Sequence, residues 1–123
     1  MSRERGDEPG THGRASVRPR QPAPAEREAA DRELRRIRDE IDQLDIRIVG
    51  LLSERATLGR EAGRAKRLAG RRAVKDLERE REVLLRVAMR NEGPLSQADL
   101  LSIYRRIVAV TRAMEARDRA RDR

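Results

Sequence analysis

The sequence predicts an all-α fold, and three observations support that prediction. Of the 123 residues, 42% are charged and 37% are hydrophobic, with Tyr104 as the single aromatic residue; such a mixture of Arg, Glu, Ala and Leu favours helix over sheet. Apolar residues recur at spacings of three and four in three stretches, as on one face of a helix. Gly and Pro separate the later stretches and end helices. A chain of this length forms one small domain.

The first and longest stretch covers residues 31–68, and no Pro interrupts it. Its apolar stripe is formed by Leu34, Ile37, Ile41, Leu44, Ile48 and Leu51. A helix of this length is about 55 Å long, which exceeds the width of a domain of about 90 residues. We therefore expect that the chain alone cannot bury this stripe.

Two shorter helices follow the long one. The second is predicted over residues 76–91, with Asp76 in or before its first turn and with Gly93 and Pro94 ending it. The third opens at residues 95–99 with Ser96 as N-cap and frays into the charged tail. The predicted organisation is a disordered leader (1–30), a helical domain (31–117) and a charged tail (118–123).

The leader shows no targeting signal. It contains most of the Pro residues and lacks the roughly 7 to 15 apolar residues of a secretory signal. No segment approaches the about 20 apolar residues of a membrane span. We expect a cytoplasmic protein without a membrane segment.

The net charge of +8 and the pI near 11.2 indicate that the protein could bind an anionic partner. One alternative is therefore a non-catalytic basic helical module that binds nucleic acid, although no uninterrupted basic run or aromatic interleaving supports it. With no Cys and only His12, we expect no metal site.

Five polar residues fall on the predicted apolar helix faces: Arg55, Lys66, Glu80, Thr111 and Glu115. An unpaired charge there costs several kcal/mol. One interpretation is a set of ion pairs, Arg55 or Lys66 with Glu80 or Glu115, that fixes the helix register. The other is a pocket between helices, with cations for an anionic ligand and carboxylates for its hydroxyl groups.

Five motifs in order carry a family resemblance: IRDEIDQLD at 37–45, LLSER at 51–55, GRAK at 63–66, VKDLERE at 74–80 and IVAVTRAME at 107–115. Through them the chain resembles the AroQ-type, all-helical chorismate mutases. The resemblance implies a three-helix protomer that exchanges its long first helix in an intertwined homodimer. It also implies conversion of chorismate to prephenate, on the route to Phe and Tyr, at a site formed by Arg38, Arg55, Lys66, Asp76, Arg79, Glu80, Thr111 and Glu115.

The resemblance assigns a role to each cation of that site. Arg55 would bind one substrate carboxylate, and Arg38 from the other protomer would bind the second. Lys66 would donate to the ether oxygen of the breaking C–O bond, and Arg79 would add to the anion site. The rearrangement is intramolecular, so neither a metal nor a redox cofactor is expected; the enzyme holds the near-attack conformer and stabilises developing charge.

The remaining residues contact the ring hydroxyl or the ether oxygen. Asp76 and Glu80 would engage the hydroxyl, and Thr111 stands where the family often has Ser. Glu115 departs from the Gln that many members use, because an ionised carboxylate only accepts hydrogen bonds whereas a protonated one donates. We therefore expect activity to fall as pH rises, and Glu115→Gln to flatten the pH profile.

The resemblance leaves two alternative substrates and a partner enzyme to be considered. Two related enzymes have the same fold, and each acts on a dianionic substrate. One is a mutase acting on 4-amino-4-deoxychorismate, and the other is an isochorismate-pyruvate lyase. The motif of Asp76, Arg79 and Glu80 favours the mutases. Docking on another shikimate-pathway enzyme, through the leader or the tail, is a further expectation.

Overall fold

The structure is a computed structural model that describes residues 2, 10, 13, 16–71 and 76–122. Three helices follow in order, α1 (Pro24–Leu68), α2 (Leu77–Arg90) and α3 (Gln97–Arg121), and the described ranges contain no strand. The predicted all-α class is thus confirmed. The chain divides into one unit of residues 1–40 and a second of residues 41–123. His12 and the start of the VKDLERE motif, residues 74 and 75, lie outside the described residues.

Helix α1 begins seven residues earlier than the predicted start at residue 31. Pro24 occupies its first position, where the missing N–H of Pro is not needed by the helix. The Glu26 carboxylate accepts a hydrogen bond from the Ala23 backbone N–H at 3.3 Å and another from Arg20 at 2.7 Å. The apolar stripe begins only at Leu34, so residues 24–30 were wrongly excluded from the helix.

The last turn of α1 is closed by Gly70. Its φ of +71° lies in the left-handed region, which Gly adopts without steric cost. The Gly70 N–H donates to the Arg67 carbonyl at 3.0 Å, and the Arg71 N–H donates to the Lys66 carbonyl at 2.9 Å. This Schellman arrangement fixes the backbone at Lys66.

Side-chain caps start the two later helices. The Asp76 carboxylate accepts from the Arg79 N–H at 3.0 Å, and the Ser96 hydroxyl accepts from the Asp99 N–H at 3.1 Å. The predicted N-cap at Ser96 is confirmed, and the bounds of α2 differ from the prediction by one residue at each end. Helix α3 continues through the predicted tail to Arg121 instead of fraying.

Helices α1 and α3 approach closely at two glycines. A Cβ added to Gly59 would collide with Thr111 Cγ2, and one added to Gly63 would lie 3.1 Å from Glu115 Cγ. Arg60 then pairs with Asp118 through two hydrogen bonds of 2.9 and 3.0 Å. The hydrogen bond from Arg60 holds the pKa of Asp118 below its usual value, against a smaller opposing effect of desolvation. This pair joins the end of α3, past residue 117, to α1.

The apolar stripe of α1 remains largely exposed. Leu44 and Ile48 are 49% and 51% exposed, and the described residues include no buried apolar side chain. The single chain therefore leaves this stripe uncovered, as its length led us to expect. Burying such side chains contributes roughly 1.5 to 3 kcal/mol each, so a further surface over the stripe would be strongly stabilising.

Candidate functional site

A cleft of about 550 Å³ lies between the three helices in the second unit. Its walls combine apolar side chains with charged ones. Six of the eight predicted site residues line it: Arg55, Lys66, Asp76, Arg79, Glu80 and Thr111. The sequence prediction thus identified residues that the fold brings together, although their roles remain predictions.

Arg55 is held against α3 by Thr111. The Thr111 hydroxyl donates to the Ile107 carbonyl at 3.1 Å, which leaves its oxygen free to accept from Arg55 Nη1 at 3.3 Å. Both side chains are half-buried. A guanidinium has five N–H donors, so this contact orients Arg55 while leaving donors for a ligand.

Lys66 lies in the last turn of α1 and is half-buried. Within residues 16–71 and 76–122 it forms no ion pair or side-chain hydrogen bond. The interpretation that paired Arg55 or Lys66 with Glu80 or Glu115 is therefore wrong for this structure. A partly desolvated ammonium without a carboxylate partner is suited to an anionic ligand.

Asp76 and Arg79 lie at the start of α2. Asp76 is committed to the N-cap, whereas Arg79 donates from Nη1 to the exposed Glu82 at 3.2 Å. A surface pair of this kind contributes little to stability, so Arg79 is able to exchange Glu82 for a ligand. The positive end of α2 adds to the cationic character of this wall.

Glu80 is positioned by a residue that the sequence prediction missed. Arg112 Nε lies 2.8 Å from Glu80 Oε1 and links α2 to α3. Arg112 Nε has no hydrogen-bond partner among the described residues, so the contact is an ion pair by distance without hydrogen-bond alignment. Nothing in the sequence pattern identifies Arg112, because the pairing depends on how the two helices pack.

The charges of the cleft favour an anion. Three cations, Arg55, Lys66 and Arg79, face two carboxylates, Asp76 and Glu80. Of these carboxylates, one caps a helix and the other is offset by Arg112. The remaining walls are apolar, formed by Leu58, Ala62, Val83 and Val108. The cleft therefore fits a small anion that also carries an apolar framework.

The other two predicted site residues do not line this cleft. Arg38 belongs to the first unit, and Glu115 is half-buried on α3 with its Cγ and Cδ against Gly63. Glu115 lies one helical turn beyond Thr111. Both assignments stay predictions that depend on the assembled protein or on a bound ligand.

The described part of the chain lacks two further features. It contains no group of three or more His, Cys, Asp or Glu side chains that could hold a metal ion. None of its helices is both long enough and apolar enough to cross a membrane.

The fold and the cleft define an all-helical domain with a cleft whose walls combine cationic and apolar side chains. The profile of the family described as chorismate mutase type II matches residues 37–116. Over 87 residues the chain is 34% identical to a bifunctional chorismate mutase/prephenate dehydratase from Stutzerimonas stutzeri and 36% identical to one from Aquifex aeolicus. Each match covers 68% of this chain and 24% of the relative, so the chain spans about a quarter of their length. The chain belongs to the chorismate mutase type II family.

Proposed function

We propose that this protein is a chorismate mutase, which converts chorismate to prephenate for the synthesis of Phe and Tyr in the cytoplasm. The observation that carries the proposal is the pair of half-buried cations, Arg55 and Lys66, that face the cleft without a carboxylate partner among the described residues. Chorismate is a dianion with an apolar ring. Family membership and the apolar walls of the cleft add support.

The reaction is an intramolecular [3,3] rearrangement: the ether C–O bond breaks as a new C–C bond forms. Holding reacting groups in a near-attack geometry contributes up to about 7 to 11 kcal/mol. In the proposed mechanism, the planar guanidinium of Arg55 binds a substrate carboxylate. Lys66 donates to the ether oxygen as negative charge develops on it, an interaction stronger in the transition state than in the ground state.

The opposite wall would recognise the ring hydroxyl. Glu80 accepts its hydrogen bond, and Arg112, whose Nε lies 2.8 Å from Glu80 Oε1, orients that carboxylate. Asp76 contributes through the cap that fixes the start of α2. Thr111 acts by positioning Arg55. The proposed rearrangement uses neither a metal nor a redox cofactor, because the electrons move within a single substrate molecule.

The proposed enzyme is a homodimer with shared sites. The exposed apolar stripe of α1 supports a second copy as its cover. Arg38 of the partner subunit would supply the second carboxylate contact, and Glu115 the second donor to the ether oxygen when protonated. Docking on another enzyme of the pathway remains a proposal, tested by co-purification with and without residues 1–28.

The test is incubation of the purified protein with chorismate, with chromatographic identification of the product. We expect prephenate, with a loss of about 10- to 150-fold in kcat/KM for Arg55→Ala, since a charged contact contributes about 1.5 to 3 kcal/mol. Arg105→Ala removes an exposed cation of α3 outside the cleft and is the matched control. Turnover only of isochorismate or of 4-amino-4-deoxychorismate would assign the other substrates. Steeply salt-dependent nucleic-acid binding without turnover would favour the basic module.

A further inference from the structure

We propose that the protein has a second anion site, which binds a compact multivalent anion bearing phosphate or carboxylate groups. A second cleft, of about 570 Å³, lies where the C-terminal parts of α1 and α3 meet. It is lined by Thr57, Arg60, Glu61, Arg64, Arg67, Asp118, Arg121 and Asp122. No function assigned to the first cleft uses any of these residues.

The second cleft lies on a different face of α1 from the candidate active site. At about 100° per residue, Arg60, Arg64 and Arg67 lie about 100° to 180° around the helix from Arg55 and Lys66. That face is also away from the exposed apolar stripe. The two clefts share no lining residue, so each can be occupied without the other.

Two of the four arginines are already paired. Arg60 binds Asp118 in a two-pronged contact, and Arg67 Nη2 lies 3.0 Å from Asp122 Oδ2. These pairs join α1 to α3 and give the cleft its shape. They neutralise half of its positive charge, and Glu61 offsets one of the two remaining charges, so four arginines and three carboxylates leave a net charge of +1.

The remaining cationic groups form no ion pair or hydrogen bond within the part of the chain that the structure describes. Within residues 16–71 and 76–122, neither Arg64 nor Arg121 forms an ion pair or a side-chain hydrogen bond. Arg67 Nη1 is buried and has no hydrogen-bond partner in the same part of the chain. A buried donor without an acceptor is costly, and this donor belongs to a side chain that lines the cleft.

The chemistry of the lining selects the ligand class. The Glu61 carboxylate repels a bound anion, so a singly charged ion would bind only weakly. A ligand with two or more anionic groups can contact Arg64 and Arg121 together. Each planar guanidinium can then donate two hydrogen bonds to two oxygens of one phosphate or carboxylate group. Such a ligand would bridge α1 and α3 beside the last turn of α1, which carries Lys66.

The test is calorimetric titration of the full chain with pyrophosphate and, separately, with citrate, at constant ionic strength set by sodium chloride. We expect one site per chain beyond any at the first cleft. Arg64→Ala/Arg121→Ala should weaken this binding roughly tenfold or more. Arg105→Ala/Arg106→Ala removes the same charge from the exposed surface of α3 and should leave it unchanged.

Arg55→Ala separates this site from the first cleft. Binding that survives Arg55→Ala and is lost in Arg64→Ala/Arg121→Ala supports the second site, whether or not the protein turns over chorismate. Tighter binding of pyrophosphate identifies a phosphate ligand, and tighter binding of citrate identifies a polycarboxylate. Absence of binding, equal weakening in both double variants, or loss in Arg55→Ala alone would overturn the proposal.

Discussion

Replacing Gly59 by Ala tests how closely α1 and α3 approach beside the cleft. The new Cβ would collide with Thr111 Cγ2. Thr111 cannot rotate away freely, because a β-branched side chain is restricted at χ1 and because its hydroxyl bonds both Arg55 and Ile107. The substitution should therefore push the helices apart and misplace Arg55.

The expected magnitude is the balance of two effects. Ala in a helix interior is favoured over Gly by about 0.8 to 1.0 kcal/mol, whereas overpacking costs about 1 to 3 kcal/mol. Gly59→Ala should thus lower the free energy of unfolding by about 0 to 2 kcal/mol. Gly50 lies on the same helix with nothing within 4 Å of an added Cβ. Gly50→Ala should raise that free energy by about 1 kcal/mol and is the matched control.

The assay is urea unfolding followed by helical circular dichroism, at one protein concentration for all variants. A double-mutant cycle with Thr111→Ser adds a second check, because Ser keeps the hydroxyl and lacks Cγ2. We expect a favourable coupling of about 0.5 to 3 kcal/mol between the two substitutions. Equal stabilisation by Gly59→Ala and Gly50→Ala, without coupling to Thr111→Ser, would refute the close packing of α1 on α3.

Three further predictions follow from individual contacts. The pKa of Asp118 is lowered by Arg60, so its stabilisation is complete above the unfolded pKa and is lost as pH falls through the folded one. Asp118→Asn should therefore destabilise at pH 7, and its acid unfolding curve should converge with that of wild type once the pH is below the folded pKa of Asp118. Arg112→Ala should lower kcat/KM about tenfold by releasing Glu80, with partial rescue by Arg112→Lys; an unchanged kcat/KM would remove Arg112 from the mechanism. Glu115→Gln supplies an amide donor in place of a carboxylate and should raise kcat/KM at pH 7; an unchanged value would show that residue 115 does not donate to the substrate.

The helices were largely predictable because their signals are local. The apolar stripe of α1, the cap at Ser96 and the Gly-Pro break after α2 each depend on residues close in sequence. The true start of α1 was missed because its first turns are polar. Pro24 with Glu26 was the available signal, as Pro at the first position and an acid two residues later commonly mark a helix start.

The candidate site was less predictable because its contacts join distant parts of the chain. Helical periodicity placed Arg55, Lys66 and Glu80 on inward faces, and the fold brings them to one cleft. Periodicity did not reveal that Glu80 pairs with Arg112 across two helices. The assignment of Arg38 depends on a partner subunit, which no pattern within one chain can position.

Mixing two inactive variants tests the proposed shared-site enzyme most directly. Arg38→Ala and Arg55→Ala homodimers should each lose chorismate turnover. After unfolding and joint refolding in equal amounts, half of the dimers are mixed, and each mixed dimer regains one intact site, with Arg55 from one subunit and Arg38 from its partner. The mixture should therefore recover about one quarter of wild-type activity, as expected for random assembly of a twofold dimer. A mixture that stays inactive, while refolded wild type converts chorismate, would contradict a site shared between subunits.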